Sequence, residues 1–422
     1  MCRTDSGVYR KSGMIISENI RALARECDSE LAGIYARIDD IATYNTEKVL
    51  DAFREERISE RHFYPTTGYG YNDDGRDAAD RLFARCLGCE AGFVSHNIIS
   101  GTHAIAIGLY ALLKPGDTML SVTGTPYDTL QGVIGINGEE DSVISGGVAY
   151  KEIPLTSEGR LDIPAVLAGL ENDRSIKMVY VQRSKGYDSR RTLTSAEIDA
   201  LYDAVKSVSD AYVFIDNNYG EFTAKTEPKG DLLAGSLIKN AGGGIAECGG
   251  YIVGSEKAVA LAAGRLTIPT VGREAGASMG LTKPMIKGLF YAPHTVANAM
   301  KTAHFAALLF EKLGFGVNPS PFEPREDIIQ VISLGNREKL IAFCGGIQSA
   351  SPIDSFVVPT PGYMPGYEDE IIMAAGAFTQ GSSIELSADA PLREPFQVYM
   401  QGGLTFESGK LGIMSAATAI TK

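Results

Sequence analysis

The chain has 422 residues, 44% of them apolar, and a formal net charge of -13. That length can bury a large core and suits two domains, while the negative charge repels nucleic acid and anionic membrane, so any bound anion must be caught by local dipoles. No apolar run reaches the roughly 18 residues of a membrane span and MCRTDSGVYRKSG has no apolar stretch after its basic residues, so a cytoplasmic location is the default expectation.

Residues 1–45 read as an irregular or helical arm. After them YNTEKVLDAFREERISE has helical spacing, with Val49, Leu50 and Phe53 on one face. RDAADRLFARCLG reads as the apolar end of a helix. Cys86 and Cys89 form a CxxC with no second pair, so they are expected to pack in a core rather than hold zinc, and six scattered cysteines suit reduced thiols. Short β-rich runs then alternate with helical ones. DTMLSV, GGVAYKEIPL, IKMVYVQ and AYVFIDN read as buried strands, and THAIAIGLYALLKPGD, IPAVLAGLE and TSAEIDALYDAVKSV as helices. The last is capped by Thr194 or Ser195 with Glu197 in its first turn. Such alternation needs crossover connections, which predicts an open α/β architecture with a mostly parallel sheet.

From about residue 294 the character changes. HTVANAMKTAHFAALLFEKLGFG reads as a long helix, followed by DIIQVISLG, a helical REKLIAFCGG, and EIIMAAGAFT and SSIELSAD as strands. The expected division is an N-terminal arm to residue 45, a large domain over 46–293 and a small α+β domain over 294–422. The loop SASPIDSFVVPTPGYMPGYEDE is rich in Pro and Gly, yet its Val, Phe and Tyr residues predict that it packs.

Four stretches of the large domain set polar groups where buried strands end. In NIISGTHAIAIGLYALL, Ser100, Gly101 and Thr102 open a helix, a turn that suits a phosphate and equally suits a plain cap. In VTGTPYDTLQG, Tyr127 follows a strand at the carboxyl edge of the sheet, where it can stack on a flat ring or serve only the loop. In AYVFIDNNYGEF, Asp216 ends an apolar strand, either meeting a cation such as a protonated pyridine nitrogen or closing an Asx-turn. In GSLIKNAGGGIAECGG, Lys239 lies one crossover after Asp216 with Ser236 just before it, and glycines follow that allow close backbone approach. A lysine held out of water there is a nucleophile able to form an imine; alone, it could be any surface lysine. Together the four are the parts of a pyridoxal 5'-phosphate site. A nucleotide site on NAGGGIAECGG lacks the GxGxxG spacing, Glu247 standing in the last glycine's place. The five histidines form no paired ligand set, and His103 reads as a packing or phosphate-neighbour residue.

The order and spacing of these residues resemble the fold-type I pyridoxal-phosphate enzymes of the cystathionine lyase and methionine gamma-lyase branch. TGYGYNDDGRD, ISGTHAIAIGL, VTGTPYDTLQGVIG, FIDNNYGEF, GSLIKNAGGGIAECGGYIVG and ELSADAPLREPFQVYMQGGLTFE resemble more closely the group labelled aluminium resistance protein, from about residue 45 to the C-terminus. The resemblance implies that Lys239 forms the internal aldimine, Asp216 pairs with the pyridine nitrogen and Tyr127 stacks on the ring. It implies that Ser100, Gly101, Thr102 and Ser236 form the phosphate cup. Tyr71, with Tyr69 beside it, is similar to a tyrosine that reaches a neighbouring subunit's phosphate, which implies a homo-oligomer, dimer or tetramer, sharing its sites. Arg393 is similar to the arginine that clamps the substrate carboxylate. Three departures stand out. Ile238 replaces the threonine before the lysine, YNDDGR delays an arginine to Arg76, and VQRSKGYDSR makes Arg183 a rival for the carboxylate. The implied activity is carbon-sulfur lysis of a sulfur-containing amino acid by β- or γ-elimination. Transamination, racemisation, decarboxylation and non-catalytic cofactor binding are the alternatives.

Overall fold

The computed structural model describes residues 16–186, 188, 190–363 and 369–421. The first fifteen residues of the expected arm and residues 364–368 of the expected packed loop lie outside them. In chain order the first elements are α1 (Glu18–Glu55), α2 (Asp74–Cys86), β1 (Ala91–Ser95), α3 (Gly101–Leu112), β2 (Thr118–Ser121), α4 (Asp128–Ile134) and β3 (Ala149–Glu152). Next come α5 (Ile163–Asn172), β4 (Ile176–Gln182), α6 (Ser195–Val208), β5 (Tyr212–Asp216), β6 (Leu232–Ser236), β7 (Gly250–Gly254) and α7 (Glu256–Leu266). The long α8 (Thr282–Lys312) leads to β8 (Gly316–Asn318), β9 (Gln330–Ser333), α9 (Arg337–Ser349), β10 (Ile371–Ala374), β11 (Ser387–Pro391), β12 (Gln397–Gln401) and α10 (Phe406–Ile420).

The first sheet has the order β1-β7-β6-β5-β4-β2-β3. Strands β3, β2, β4, β5 and β6 pair in parallel, while β7 runs antiparallel to both β6 and β1. The second sheet, β10-β11-β12-β9-β8, is antiparallel throughout. A large, mostly parallel α/β sheet and a smaller α+β unit are thus both present. Alternation along β5 shows how the core forms on two faces: Val213 and Ile215 join one apolar cluster and Phe214 the other. Gly108 of α3 lies against Phe214, where an added Cβ would meet the ring at 2.5 Å, so glycine lets this helix settle close to the sheet.

The capping box on α6 forms as the sequence indicates, Thr194 Oγ1 accepting from Glu197 N and Glu197 reaching back to Thr194 N. Other elements differ. Helix α1 runs unbroken through residue 45, because Cys27, Leu31, Ile34, Ile38 and Val49 continue one apolar stripe that packs along α8. Leu50, by contrast, is exposed. Helix α8 begins at Thr282 and carries Pro293 inside it, so residue 293 falls within one rod, which packs on α1, on the turn after Lys239 and on β8 and β9 of the second sheet. Strand β3 is exposed along most of its length, being the edge strand, and β11 starts only at Ser387. In the loop after α9, Phe356 and Val358 are 85% and 78% exposed and Tyr363 is exposed too, against the expectation of packing. Cys86 is buried and Cys89 half-buried, and burial pushes each thiol up to about 12. Among the described residues no helix is long and apolar enough to cross a membrane.

Candidate active site

The parallel strands β2, β4, β5 and β6 end at one edge of the sheet. An open cleft lies there, and Thr102, Tyr127, Gln182, Asp216, Tyr219 and Lys239 are among its lining residues. Register puts Gln182 of β4 beside Asp216 of β5, and Asp216 beside Ala234 of β6. Asp216 is buried, and its carboxylate accepts from Asn218 N at 3.1 Å, Asn218 Nδ2 at 2.7 Å and Tyr180 Oη at 3.4 Å. Burial pushes this carboxyl up from its ordinary value, while the Asn218 donor and the Lys239 charge pull it back.

Lys239 comes three residues after the end of β6, and its ammonium sits 4.1 Å from the centroid of the Tyr219 ring. Tyr219 is held at φ 73, a left-handed conformation uncommon for an aromatic residue. Thr102 stands in the first turn of α3, and its Oγ1 lies 3.0 Å from the Tyr127 hydroxyl. The backbone N–H of Tyr127 donates to Gln182 Oε1 at 3.0 Å, which fixes the loop that carries the ring. Ser100 caps α3 by accepting from His103 N at 3.0 Å, and His103 Nδ1 accepts from Ile99 N at 3.2 Å, so the histidine holds the turn. Gly101 packs on Asn218, where an added Cβ would meet Oδ1 at 2.6 Å. Ser236 is buried behind the lining, its Oγ accepting from Ile238 N at 3.3 Å.

Thr102, Tyr127, Asp216 and Lys239 therefore come together, with Ser100, Gly101 and Ser236 supporting them. The two arginines do not join them. Arg393 is exposed and pairs with Asp369 at 3.2 Å. Arg183 is fully buried and is not among the cleft's lining residues: Nη1 donates to Glu227 and Asn217, Nη2 to Glu326 and Ser195. Tyr69 and Tyr71 lie outside this chain's cleft, 77% and 58% exposed, with ring centroids 5.6 Å apart. Their loop is tied down by Arg76, whose Nη1 donates to Gly70 O at 2.7 Å and Gly276 O at 2.9 Å.

Sequence reasoning missed Gln182, Asn218, Tyr219, Ile329 and Gln401, all of which line the cleft. The NNYG turn after Asp216 held a signal for Asn218, because an amide two residues after a strand-end acid can reach back to it. Ile329 and Gln401 come from the second sheet's strands or their flanks, and no local pattern ties them to this cleft.

A family model described as methionine gamma-lyase matches residues 20–421. The chain is similar to a carbon-sulfur lyase involved in aluminum resistance from Clostridium novyi NT, at 44% identity with all of both chains covered and a TM-score of 0.93. It is similar to a provisional cystathionine beta-lyase involved in aluminum resistance from Clostridium acetobutylicum, at 45% identity over 99% of each chain and a TM-score of 0.93. At 15% identity it shares the fold of the pyridoxal-5'-phosphate dependent protein YhfS from Escherichia coli, with 90% of this chain and 97% of that one covered and a TM-score of 0.59.

Proposed function

The chain belongs to the methionine gamma-lyase family, a lyase family dependent on pyridoxal phosphate, and on that premise we propose that it eliminates a sulfur-linked substituent from an amino acid in the cleft around Lys239. The observation that carries this reading is the meeting of Thr102, Tyr127, Asp216 and Lys239 at one strand edge, four residues spread from position 102 to position 239.

These residues fit pyridoxal phosphate. The buried Asp216 carboxyl has neutral donors and the Lys239 charge around it, and a protonated ring nitrogen would be the cation its burial calls for. The N-terminus of α3 with the Thr102 hydroxyl suits the phosphate, and the Tyr127 ring suits the face of the heterocycle. When bound, the cofactor supplies a carbonyl for the amine and a ring that takes up the electron pair left at the substrate α-carbon.

The chain's own residues do the rest. Lys239 Nζ would hold the cofactor, and its amine when free would take the α-proton as general base. Asp216 would keep a proton on the ring nitrogen. The Asn218 amide fixes the Asp216 carboxylate, and Tyr219 fixes the lysine. The exposed Tyr69 and Tyr71, on a loop anchored by Arg76, suit contact with a second copy's cleft, so the working form in this reading is a homo-oligomer.

The test is an absorption spectrum of protein reconstituted with pyridoxal phosphate, before and after borohydride, followed by cysteine, cystathionine and methionine assayed for keto acid and released thiol or sulfide. Wild type should trap the cofactor on Lys239 and release thiol. Lys239→Ala should do neither, and full turnover by that variant would end the proposal.

A further inference from the structure

The cleft draws its walls from two sheets. Gln182 ends β4, with Ser184 and Gly186 in the loop after it, while Ile329 directly precedes β9 and Gln401 ends β12 of the second sheet. Among the described residues no strand of one sheet pairs with a strand of the other, so backbone ladders do not set the gap between these walls. Side chains must set it.

Asp327 spans the gap. It is fully buried, its Oδ2 accepts from Ser184 Oγ at 3.1 Å and from Thr192 Oγ1, and its Oδ1 accepts from Ile329 N at 3.2 Å, an Asx-turn that leads into β9. Ser184 and Ile329 both line the cleft, so one carboxylate joins lining residues of both walls. Glu326 ties the same segments nearer solvent, its Oε2 accepting from Ser195 N at 2.7 Å and from Arg183 Nη2 at 2.8 Å.

The bridge continues to the lysine. Ile329, Val331 and Tyr399 form an apolar cluster on which Tyr219 packs, and the Lys239 ammonium rests 4.1 Å from the centroid of the Tyr219 ring. Close-packed side chains leave little slack, so a shift of Ile329 is passed to Tyr219 and from there to the amine.

Asp327 also carries charge. Burial pushes the pKa values of Lys185, Arg190 and Arg325 down, and Asp327 favours the charged form of all three. Lys185 Nζ and the Nε and Nη1 of Arg325 have no hydrogen-bond partner, so this carboxylate serves both as a bridge and as a counter-charge.

We propose that Asp327 is a positioning residue that sets the second sheet's wall of the cleft against the loop after β4 and thereby keeps Tyr219 and the Lys239 amine in place. Turnover as a readout of this role rests on the lyase reading; the placement of the walls does not.

Three variants loaded with pyridoxal phosphate are compared with wild type on cysteine, cystathionine or methionine, whichever wild type turns over fastest. D327A removes bridge and charge together. D327N loses the charge but keeps an oxygen for Ile329 N and an amide able to donate to both hydroxyl oxygens. T192V keeps the charge and loses one bond of the bridge. In D327A kcat should fall about 10- to 100-fold, the scale of a reacting group misplaced by roughly 1 Å. The cofactor dissociation constant should stay within about 2-fold, because Tyr127, Asp216 and the start of α3 have no share in the bridge. D327N should recover part of the loss in kcat, and T192V should lower kcat by about 2- to 12-fold. Hydrogen exchange over residues 190–195 and 328–332 should quicken together in D327A and less in D327N.

A folded D327A with unchanged kcat, a cofactor affinity that falls as far as kcat, or a D327N no better than D327A overturns the proposal. If D327A does not fold, T192V decides, and wild-type kcat and exchange in T192V overturn it. A wild type that releases no thiol ends the lyase reading alone. Exchange then judges Asp327, and quickening in neither segment, or in only one, counts against it.

Discussion

Asn218 holds Asp216 from two directions, its backbone N–H and its Nδ2 both donating to Oδ1, at 3.1 and 2.7 Å. The side-chain Oδ1 of Asn218 in turn accepts from Ser236 N at 3.1 Å. One amide therefore locks the acid at the end of β5 to the end of β6, three residues before Lys239, and sets the relation between acid and amine within the cleft.

Asp216→Asn is isosteric but cannot hold a proton on a ring nitrogen. Turnover should fall roughly 100-fold or more, the scale of a lost acid-base group, while the cofactor remains covalently bound. Steady-state kcat alongside the borohydride-trapped mass checks both halves. An unchanged kcat would remove Asp216 from the mechanism.

Tyr127 contributes a ring and a hydroxyl, and two substitutions separate them. Tyr127→Phe keeps the ring, loses the hydroxyl's contact to Thr102 Oγ1 at 3.0 Å and should weaken cofactor binding by about 2- to 12-fold. Tyr127→Ala also loses the stacking surface, and a further loss of about 2- to 12-fold is expected. Cofactor dissociation constants measured by absorbance decide; equal losses in both variants would mean that the ring does not stack.

Arg183 is a structural cation. Arg183→Met leaves Glu227 buried and Glu326 largely so with no guanidinium between them, which should destabilise the fold by about 3–5 kcal/mol. Chemical denaturation measures this. The double variant with Glu227→Gln should recover part of the loss, and a single-variant loss below about 1 kcal/mol would contradict the buried-pair account.

Glu221 adds a pH dependence. It lies behind β6, bonded to the Tyr251 hydroxyl at 2.7 Å, and burial raises its pKa from 4.5 to about 8. Between those values the unfolded chain has released the proton and the folded chain keeps it, so stability is full below about pH 4.5 and declines as pH rises toward 8. The slope reaches at most about 1.4 kcal/mol per pH unit. Glu221→Gln should remove that share, so its stability relative to wild type rises between pH 5 and pH 8. Asp80, also raised to about 8 by burial, adds a similar slope to both proteins and cancels in the comparison. Parallel pH profiles would refute the assignment.

Much of the site was legible because its parts are local. Ser100 announces the start of α3, the apolar run to Asp216 announces a buried strand with an acid at its tip, and the glycines after Lys239 announce close backbone approach. The exposed edge strand β3 and the bare Phe356 were misread because composition reports what a residue can bury and not whether a neighbour covers it. The continuity of α1 past residue 45 was missed because its stripe is apolar only on the side that α8 covers.

The sequence by itself indicated the alternation of strands and helices, a mostly parallel sheet followed by a smaller α+β unit, and the four polar strand ends, since periodicity, caps and strand-end residues act over a few positions. Tertiary structure alone decided which cations are buried against protein and which stay exposed. Arg183 meets Glu326 across 143 positions and Ser184 meets Asp327 across the same separation, whereas Arg393 stays outside against Asp369. A charge's role depends on the dielectric and the partners around it, and those are set by contacts that no short window of sequence contains.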